Sequence, residues 1–544
     1  VTLPGRRAEP FALFSTHPIL MASNDPSSTP SSSAAGADAS TATLDTSFFG
    51  HPSGLATLFF TELWERFSYY GMRALLVLFM VAAAAGSNPG LGFDTAKATA
   101  VYGLYTFFVY VLSLPGGWVA DNIWGQRRAV LVGGIVIAAG HFTMAGPLIG
   151  LPDISTFYLG LALIVVGTGL LKPNVSSMVG DLYPEGGARR DAGFSIFYMG
   201  INIGAILGPL LCGWLAESGM LGLEANWHAG FSLAGFGMLA GLISYQVGAD
   251  RLGDAGLLET DQSPPELQAT KRRFYTAALA FALVIVGVGY LLSTGALGIT
   301  LQELAQYLGY LVVAITVAFF GYIIFFGGHN RQEQKRLGVI FWLFILAAVF
   351  WSGFEQAGSS LNLFAKELTD RDIMGTLVPA STLQLINPLF IVIFAPIFGG
   401  LWTWLANRSK NPSIPVKFGL GLFGLAGGFF VLSWGAANAT AQDPVTPAWL
   451  IVTYFLHTCG ELCLSPVGLS SMTKLAPENR VGQMMGIWFV AAALGNLFAG
   501  LLAGQLEALA PSNLFWMVAW ITSGAGIIAL LASPFVKPLM GDVE

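Results

Sequence analysis

Four ionisable side chains stand within one otherwise apolar stretch: Glu62, Glu65, Arg66 and Arg73 in Glu62-Leu63-Trp64-Glu65-Arg66-Phe67-Ser68-Tyr69-Tyr70-Gly71-Met72-Arg73. On a helix these four and Tyr69 fall within roughly 100° of arc, so they share one stripe. Three more charges interrupt apolar runs: Lys172 beside Pro173, Glu355 after Phe354, and Glu461 after Gly460. A charge in hydrocarbon is costly, so each marks a candidate functional position. A cluster snorkelling to the headgroups would suit Glu62 but not Arg73, about three turns further along. The stripe is therefore expected to line a cavity between helices. Carboxylates beside guanidinium or ammonium groups can do one kind of chemistry there. Desolvation favours the protonated acid and a nearby cation favours the anion, so making and breaking such pairs ties protonation to conformation. Titration within the helix-one cluster would belong to the cluster and not to one residue.

The charges divide unevenly along the chain. The first half holds Glu62, Glu65, Arg66, Arg73 and Lys172, a net +1 if all are ionised, and the second holds Glu355 and Glu461, a net −2. A cavity between the halves would be positive on one wall and negative on the other. That polarity suits a solute carrying separated opposite charges.

The elements that position these residues follow from composition. Of 544 residues 54% are hydrophobic and 10% charged, with a mean hydropathy of +0.66. A soluble chain carries about 25% charge, so this one is a polytopic all-α membrane protein and not a soluble multidomain enzyme or a disordered scaffold. A net charge of −6 offers no basic surface for nucleic acid. Cys212, Cys459 and Cys463 sit in apolar runs and cannot form a disulfide framework. His457, Cys459, Cys463 and Glu461 share one helix, but without any sign of supporting groups they read as packing, and no metal is expected. His141 and His228 read as structural. No glycine-rich turn leads into Gly-Lys-Ser/Thr, so no nucleotide or other cofactor is implied and an ion gradient must supply the energy.

Runs long enough to span a bilayer, about 20 residues, lie near 54–84, 97–119, 129–150, 156–180, 191–216, 228–248, 274–294, 300–327, 337–365, 378–405, 414–438, 446–472, 481–505 and 512–536. These are fourteen expected helices, arranged six, two, six. Sixteen basic residues fall in one set of loops (Arg127, Arg128, Arg189, Arg190, Arg251, Lys271, Arg272, Arg273, Arg331, Lys335, Arg336, Arg408, Lys410, Lys417, Lys474, Arg480). Three fall in the other (Lys97, Lys366, Arg371). The positive-inside rule then puts both termini in the cytoplasm. The expected organisation is a disordered cytosolic tail over 1–50, with Met21 a candidate start, then a six-helix bundle over 51–250. A linker with two extra helices follows over 251–336, then a second bundle over 337–539 and a short tail over 540–544.

The bundles look like related halves. Gly116-Gly117-Trp118-Val119-Ala120-Asp121 and Gly125-Gln126-Arg127-Arg128 follow the second helix of the first, with a weaker echo at Gly399-Gly400 and Arg408. Gly200, Gly204 and Gly208 recur at four-residue spacing, with Gly500 and Gly504 as counterparts. Small residues so spaced let helices approach closely in lipid, and such repetition marks a duplicated transporter. The glycine–aspartate–arginine loop resembles the signature loop of the major facilitator superfamily. There Asp121 is expected to cap the next helix and pair with Arg127 and Arg128, making all three structural or gating residues.

Six ordered stretches resemble the proton-dependent oligopeptide transporter family of that superfamily, in its prokaryotic form with an extra helix pair. They are the Glu-x-x-Glu-Arg motif with its Tyr-Tyr-Gly-Met-Arg continuation (62–73), Gly-x-Gly-x-x-Lys-Pro-Asn-Val-Ser (167–176), Phe-Ser-Ile-Phe-Tyr-Met-Gly-Ile-Asn-Ile-Gly (194–204), Phe-Glu-Gln-x-Gly-Ser-Ser-Leu-Asn (354–362), Ile-Asn-Pro-Leu-Phe (386–390) and Gly-Glu-Leu-x-Leu-Ser-Pro-Val-Gly (460–468). The resemblance implies the major facilitator fold and proton-coupled symport of di- and tripeptides by a monomer in the plasma membrane (the inner membrane in a Gram-negative cell). It implies Arg73–Glu355 closing the outer side, Lys172–Glu461 acting nearer the inner side, and Glu62, Glu65 and Arg66 as a further proton site. The peptide carboxylate would face Arg73, Lys172 and Arg66, and the ammonium would face Glu461. Tyr69, Tyr70, Tyr110, Trp351, Phe354 and Trp488 would line the pocket. Asn202 and Asn387 would bond the peptide, with Ser465 beside Glu461. The competing reading is a proton-coupled carrier of another small solute, such as nitrate or an organic acid. A carboxylate opposite a basic wall argues for a ligand with an amino group.

Overall fold

The computed structural model describes residues 45–260, 262–477 and 480–541, so the tail expected over 1–50 lies outside the described residues up to 44, as do 542–544. The chain is helical almost throughout: α1 (Ser53–Val81), α2 (Thr95–Val111), α3 (Ser113–Val119), α4 (Gln126–Met144), α5 (Asp153–Asp181), α6 (Gly187–Glu217), α7 (Trp227–Val247), α8 (Pro264–Ser293), α9 (Leu301–Phe326), α10 (Arg331–Phe354), α11 (Ser360–Glu367), α12 (Ile386–Ala406), α13 (Ile414–Ala437), α14 (Ala448–Leu475), α15 (Val481–Ala503) and α16 (Pro511–Met540). A small hairpin, β1 (Asp372–Ile373) with β2 (Thr376–Leu377), lies between α11 and α12.

Helix starts follow local chemistry. Ser263 with Glu266, Thr300 with Glu303 and Asn330 with Glu333 form capping boxes at α8, α9 and α10, satisfying N–H groups that have no partner inside the helix. Because Asn330 caps it, α10 begins at Arg331 and takes in polar residues that the sequence reading left in the linker. The run expected as one helix over 337–365 is broken. A tight turn over Glu355–Gly358 separates α10 from α11, and a side chain at Gly358 would collide with the ring of Tyr102.

Twelve helical stretches among the described residues are long and apolar enough to cross a membrane. Helix α1 has 29 residues but its charged stripe keeps it outside that set, and α4 opens on Gln126-Arg127-Arg128. The packing repeats between the halves. In the first, α1 lies along α6 and α7, α4 along α5 and α7, and α3 on α5; in the second, α10 lies along α15 and α16, α13 along α14 and α16, and α12 on α14. Between halves α2 meets α15 and α6 meets α12, which is the same relation read in both directions. Such an exchange is what a duplicated unit produces. The glycine stripe makes close contacts of this kind: at Gly204 a side chain would strike the Leu63 carbonyl and Arg66, and at Gly208 the backbone of Phe67 and Gly71. Gly500 meets Thr99 and Gly103 of α2 in the same manner across the halves.

At the end carrying the basic loops, Asp45–Pro52 is tied to the α5–α6 connection and the first turn of α6. Arg189 donates to the carbonyls of Asp45 and Gly50, and His51 Nδ1 shares a 2.8 Å hydrogen bond with the Tyr183 hydroxyl. Burial, aided by the Arg189 charge, lowers the His51 pKa below its usual 6.5.

Candidate functional site

The polar stripe of α1 is almost wholly enclosed, and its Arg73 end meets the second half. Glu62, Glu65, Arg66 and Arg73 are all buried. Arg66 Nε lies 2.9 Å from Glu62 Oε1 and 2.5 Å from Glu65 Oε2, so one guanidinium serves two carboxylates. Its carbon stands 5.5 Å from the Tyr69 ring. The glycines of α6 bring backbone against this stretch of α1, which fixes the cluster's height.

About two turns along, Arg73 crosses to the other half. Its Nη2 meets Glu355 Oε2 at 2.6 Å, and its Nε donates to the Tyr102 hydroxyl at 2.6 Å. The Tyr70 ring lies 5.8 Å from the same guanidinium. Glu355 is placed by the turn that interrupts α10, and that turn exists where Tyr102 presses on Gly358. Polar contacts between the halves continue beyond this pair, away from the basic loops. Asn362 donates to the Ala74 carbonyl at 2.8 Å, Lys366 Nζ lies 2.9 Å from Glu217, and Ser381 donates to Glu217 from its N–H and its hydroxyl.

The remaining expected residues fall in both halves. Lys172 places its ammonium 4.1 Å from the Tyr110 ring centroid, a cation–π contact. Asn202 is buried, and its amide donates to the Tyr198 carbonyl one turn back. Asn387 donates to Thr458 at 2.9 Å and to Glu461 Oε2 at 3.4 Å. Ser465 is half-buried one turn beyond Glu461 on α14. Tyr69 packs between Tyr70 and Tyr105, and Trp351 meets Phe354 edge-on at 5.4 Å. Trp488 is buried against Phe418 and Gly468. His457 is buried with its ring 4.8 Å from that of Phe429.

Two expected pairings are not made among the described residues. No ion pair joins Lys172 to Glu461; the ammonium lies on Tyr110 and the carboxylate takes the Asn387 amide. Nor does Asp121 cap α4 or pair with Arg127 or Arg128. Gly125 opens that helix with φ 78°, and Arg127 is occupied by the carbonyls of Ala255 and Gly253, while Arg128 lies over Trp124. Sequence reasoning also missed Tyr102, which holds Arg73, and Thr458, which holds Asn387. Thr458 stands three residues before Glu461, a same-face spacing that could have pointed to it.

Residues 127–517 match the POT family. The chain is 43% identical over 508 residues to the peptide transporter YePEPT of Yersinia enterocolitica, covering 91% of this chain and 97% of that one. It is 36% identical to the di-/tripeptide transporter of Lactococcus lactis, covering 91% and 98%. Among solved structures, a crystal structure of peptide transporter POT in complex with sulfate superposes with a TM-score of 0.82 at 38% identity, over 91% of this chain and 97% of that one. A POT family transporter in complex with 5-aminolevulinic acid gives 0.81 at 33% identity, over 91% and 99%.

Proposed function

The chain belongs to the POT family of peptide transporters, and from that premise we propose how its buried charges carry di- and tripeptides with protons. The observation that carries the proposal is the Arg73–Glu355 pair, which links the two halves through groups that are both buried. Protonating Glu355 removes the charge that holds Arg73, so the far side can open only when a proton is bound or a ligand carboxylate takes the carboxylate's place. The Glu62–Arg66–Glu65 cluster supplies a second titrating group on the same stripe.

The peptide lies between the walls, with its carboxylate toward Arg73, Lys172 and Arg66 and its ammonium toward Glu461 and Asn387. Tyr70, Tyr110, Trp351 and Phe354 give apolar, adaptable surface, which suits a carrier that must accept many side chains. Glu461 has no cationic partner within ion-pair distance among the described residues, and that favours an amino-bearing ligand over nitrate or an organic acid.

Fourteen helices crossing the plasma membrane accommodate this arrangement: the twelve apolar stretches together with α1 and α4. With the basic loops in the cytoplasm, both termini are cytoplasmic, and the far-end contacts from Arg73 to Glu217 close the outer side. Lys172–Glu461 belongs to the opposite phase of the cycle, which is why it is open while Arg73–Glu355 is made. Uptake of dialanine into proteoliposomes, with and without an inward proton gradient, tests the reading. Gradient-dependent accumulation is expected; equal uptake in both conditions would overturn proton coupling, and none in either would overturn the substrate.

A further inference from the structure

A groove of about 660 Å³ opens on the outer surface of the second half, between α9, α10, α15 and α16. Its floor is buried, with Ala348 8% and Leu494 1% exposed, while its rim residues Val317, Ile345 and Ile521 are exposed. Along α15 and into the turn that follows it, the groove runs from Leu494 to Gln505, roughly 16 Å at about 1.5 Å per residue. That is about half of a hydrocarbon core roughly 30 Å thick, the depth of one leaflet. The polar residue Gln505 stands toward the far surface, within the turn Gly504–Glu507 before α16.

The two hydroxyls inside the groove ask nothing of a ligand. Thr316 donates to the Val312 carbonyl and Ser352 to the Val349 carbonyl, both at 2.8 Å. The occupant must therefore be apolar along its length and about one leaflet long. We propose that the groove binds one acyl chain of a phospholipid from the leaflet away from the basic loops, with the headgroup at the level of Gln505. Ser352 lies one turn before Glu355, and Gly495, beside Leu494, packs on Trp351. The chain thus fills the back of the two helices, α10 and α15, whose other faces meet the transport site. The extra helix α9, with α16, supplies the remaining wall, which gives α9 a task the transport mechanism leaves unassigned. The inference rests on the chain spanning a bilayer.

The test uses the full chain in proteoliposomes of phosphatidylcholine carrying a diazirine at the middle of one acyl chain. After irradiation, labelled residues are mapped by mass spectrometry, with the lipid-exposed Leu279 on α8 and Leu531 on α16 as references for the general lipid annulus. Label in the groove, at Ala348 and Phe498, is expected to exceed the reference by at least about fivefold, a preference of about 1 kcal/mol for the groove over the annulus. Ala348→Trp fills the groove from α10 and Thr316→Phe from α9, which carries none of the transport residues. Either should bring groove labelling down to the reference level and leave Leu531 unchanged. Groove labelling equal to the reference, or unaffected by both substitutions, would overturn the proposal. Stronger groove labelling by a diazirine-bearing free fatty acid at equal mole fraction would overturn the phospholipid assignment. Absence of label at Leu279 and Leu531 as well would instead overturn the bilayer placement itself.

Discussion

The carboxylate of Glu217, at the end of α6, takes both the backbone N–H and the hydroxyl of Ser381, at 3.0 and 2.7 Å. Its other oxygen lies 2.9 Å from Lys366. Glu217 belongs to the first half and both partners to the second, so this side chain is a clasp at the far end, distinct from Arg73–Glu355. The carboxylate is buried, with its side chain 2% exposed.

Glu217→Gln keeps the shape and removes the charge from these bonds. Charged hydrogen bonds contribute about 1.5–3 kcal/mol against about 1 for neutral ones, so the closed far side should lose stability relative to the open one. Spin labels at Leu221→Cys and Met374→Cys, both on exposed far-end loops, should then give a distance distribution shifted toward longer values. An unchanged distribution would show that the clasp does not hold the gate.

Glu355→Gln separates coupling from binding. Without an ionisable partner for Arg73, gradient-driven peptide accumulation should be abolished, while counterflow exchange, which needs no net proton movement, should largely survive. Both assays run on the same proteoliposomes. Retained accumulation would remove Glu355 from the proton path.

Much of this site was legible because a charge in an apolar run is an outlier whatever the fold. The stripe Glu62–Arg73 needed only the helical period, and the family likeness supplied Glu355 as the partner of Arg73. Tyr102 was not legible: it stands in an apolar aromatic run where nothing separates a phenol that holds an arginine from one that packs. The break after Phe354 was hidden because hydropathy is blind to a turn buried among apolar residues. Lys172 and Glu461 are not joined here, and spacing along the chain could not show that Lys172 would lie on Tyr110 and Glu461 would take the Asn387 amide. Asp121 misled because its motif reads alike whether the arginines meet a carboxylate or, as Arg127 does, the carbonyls of a neighbouring loop.

The glycine stripe of α6 can be tested on stability alone. At Gly204 any side chain meets the Leu63 carbonyl and the backbone at Phe67, and overpacking of a tight contact costs about 1–3 kcal/mol. Gly204→Leu should lower the thermal midpoint in detergent, or prevent recovery of folded protein. Gly399→Leu, where nothing lies within 4 Å, should leave the midpoint unchanged. Equal behaviour of the two would mean that the α1–α6 contact tolerates separation.

The proposed orientation of the peptide makes the most specific demand. Blocking a dipeptide's amino group removes the charge meant for Glu461, and amidating its carboxylate removes the charge meant for Arg73 and Lys172. A desolvated charge left without its partner costs about 2–5 kcal/mol, so each change should weaken binding by at least about tenfold. The discriminating variant is Glu461→Gln, which retains the hydrogen bond from Asn387 but not the charge. It should lose far more affinity for the free dipeptide than for the same peptide already blocked at its amino end, measured by calorimetry on purified protein. Equal losses for the two ligands would mean that Glu461 does not read the amino group. Glu461 would then serve gating alone, and a carrier of simple anions would become the better account of the site.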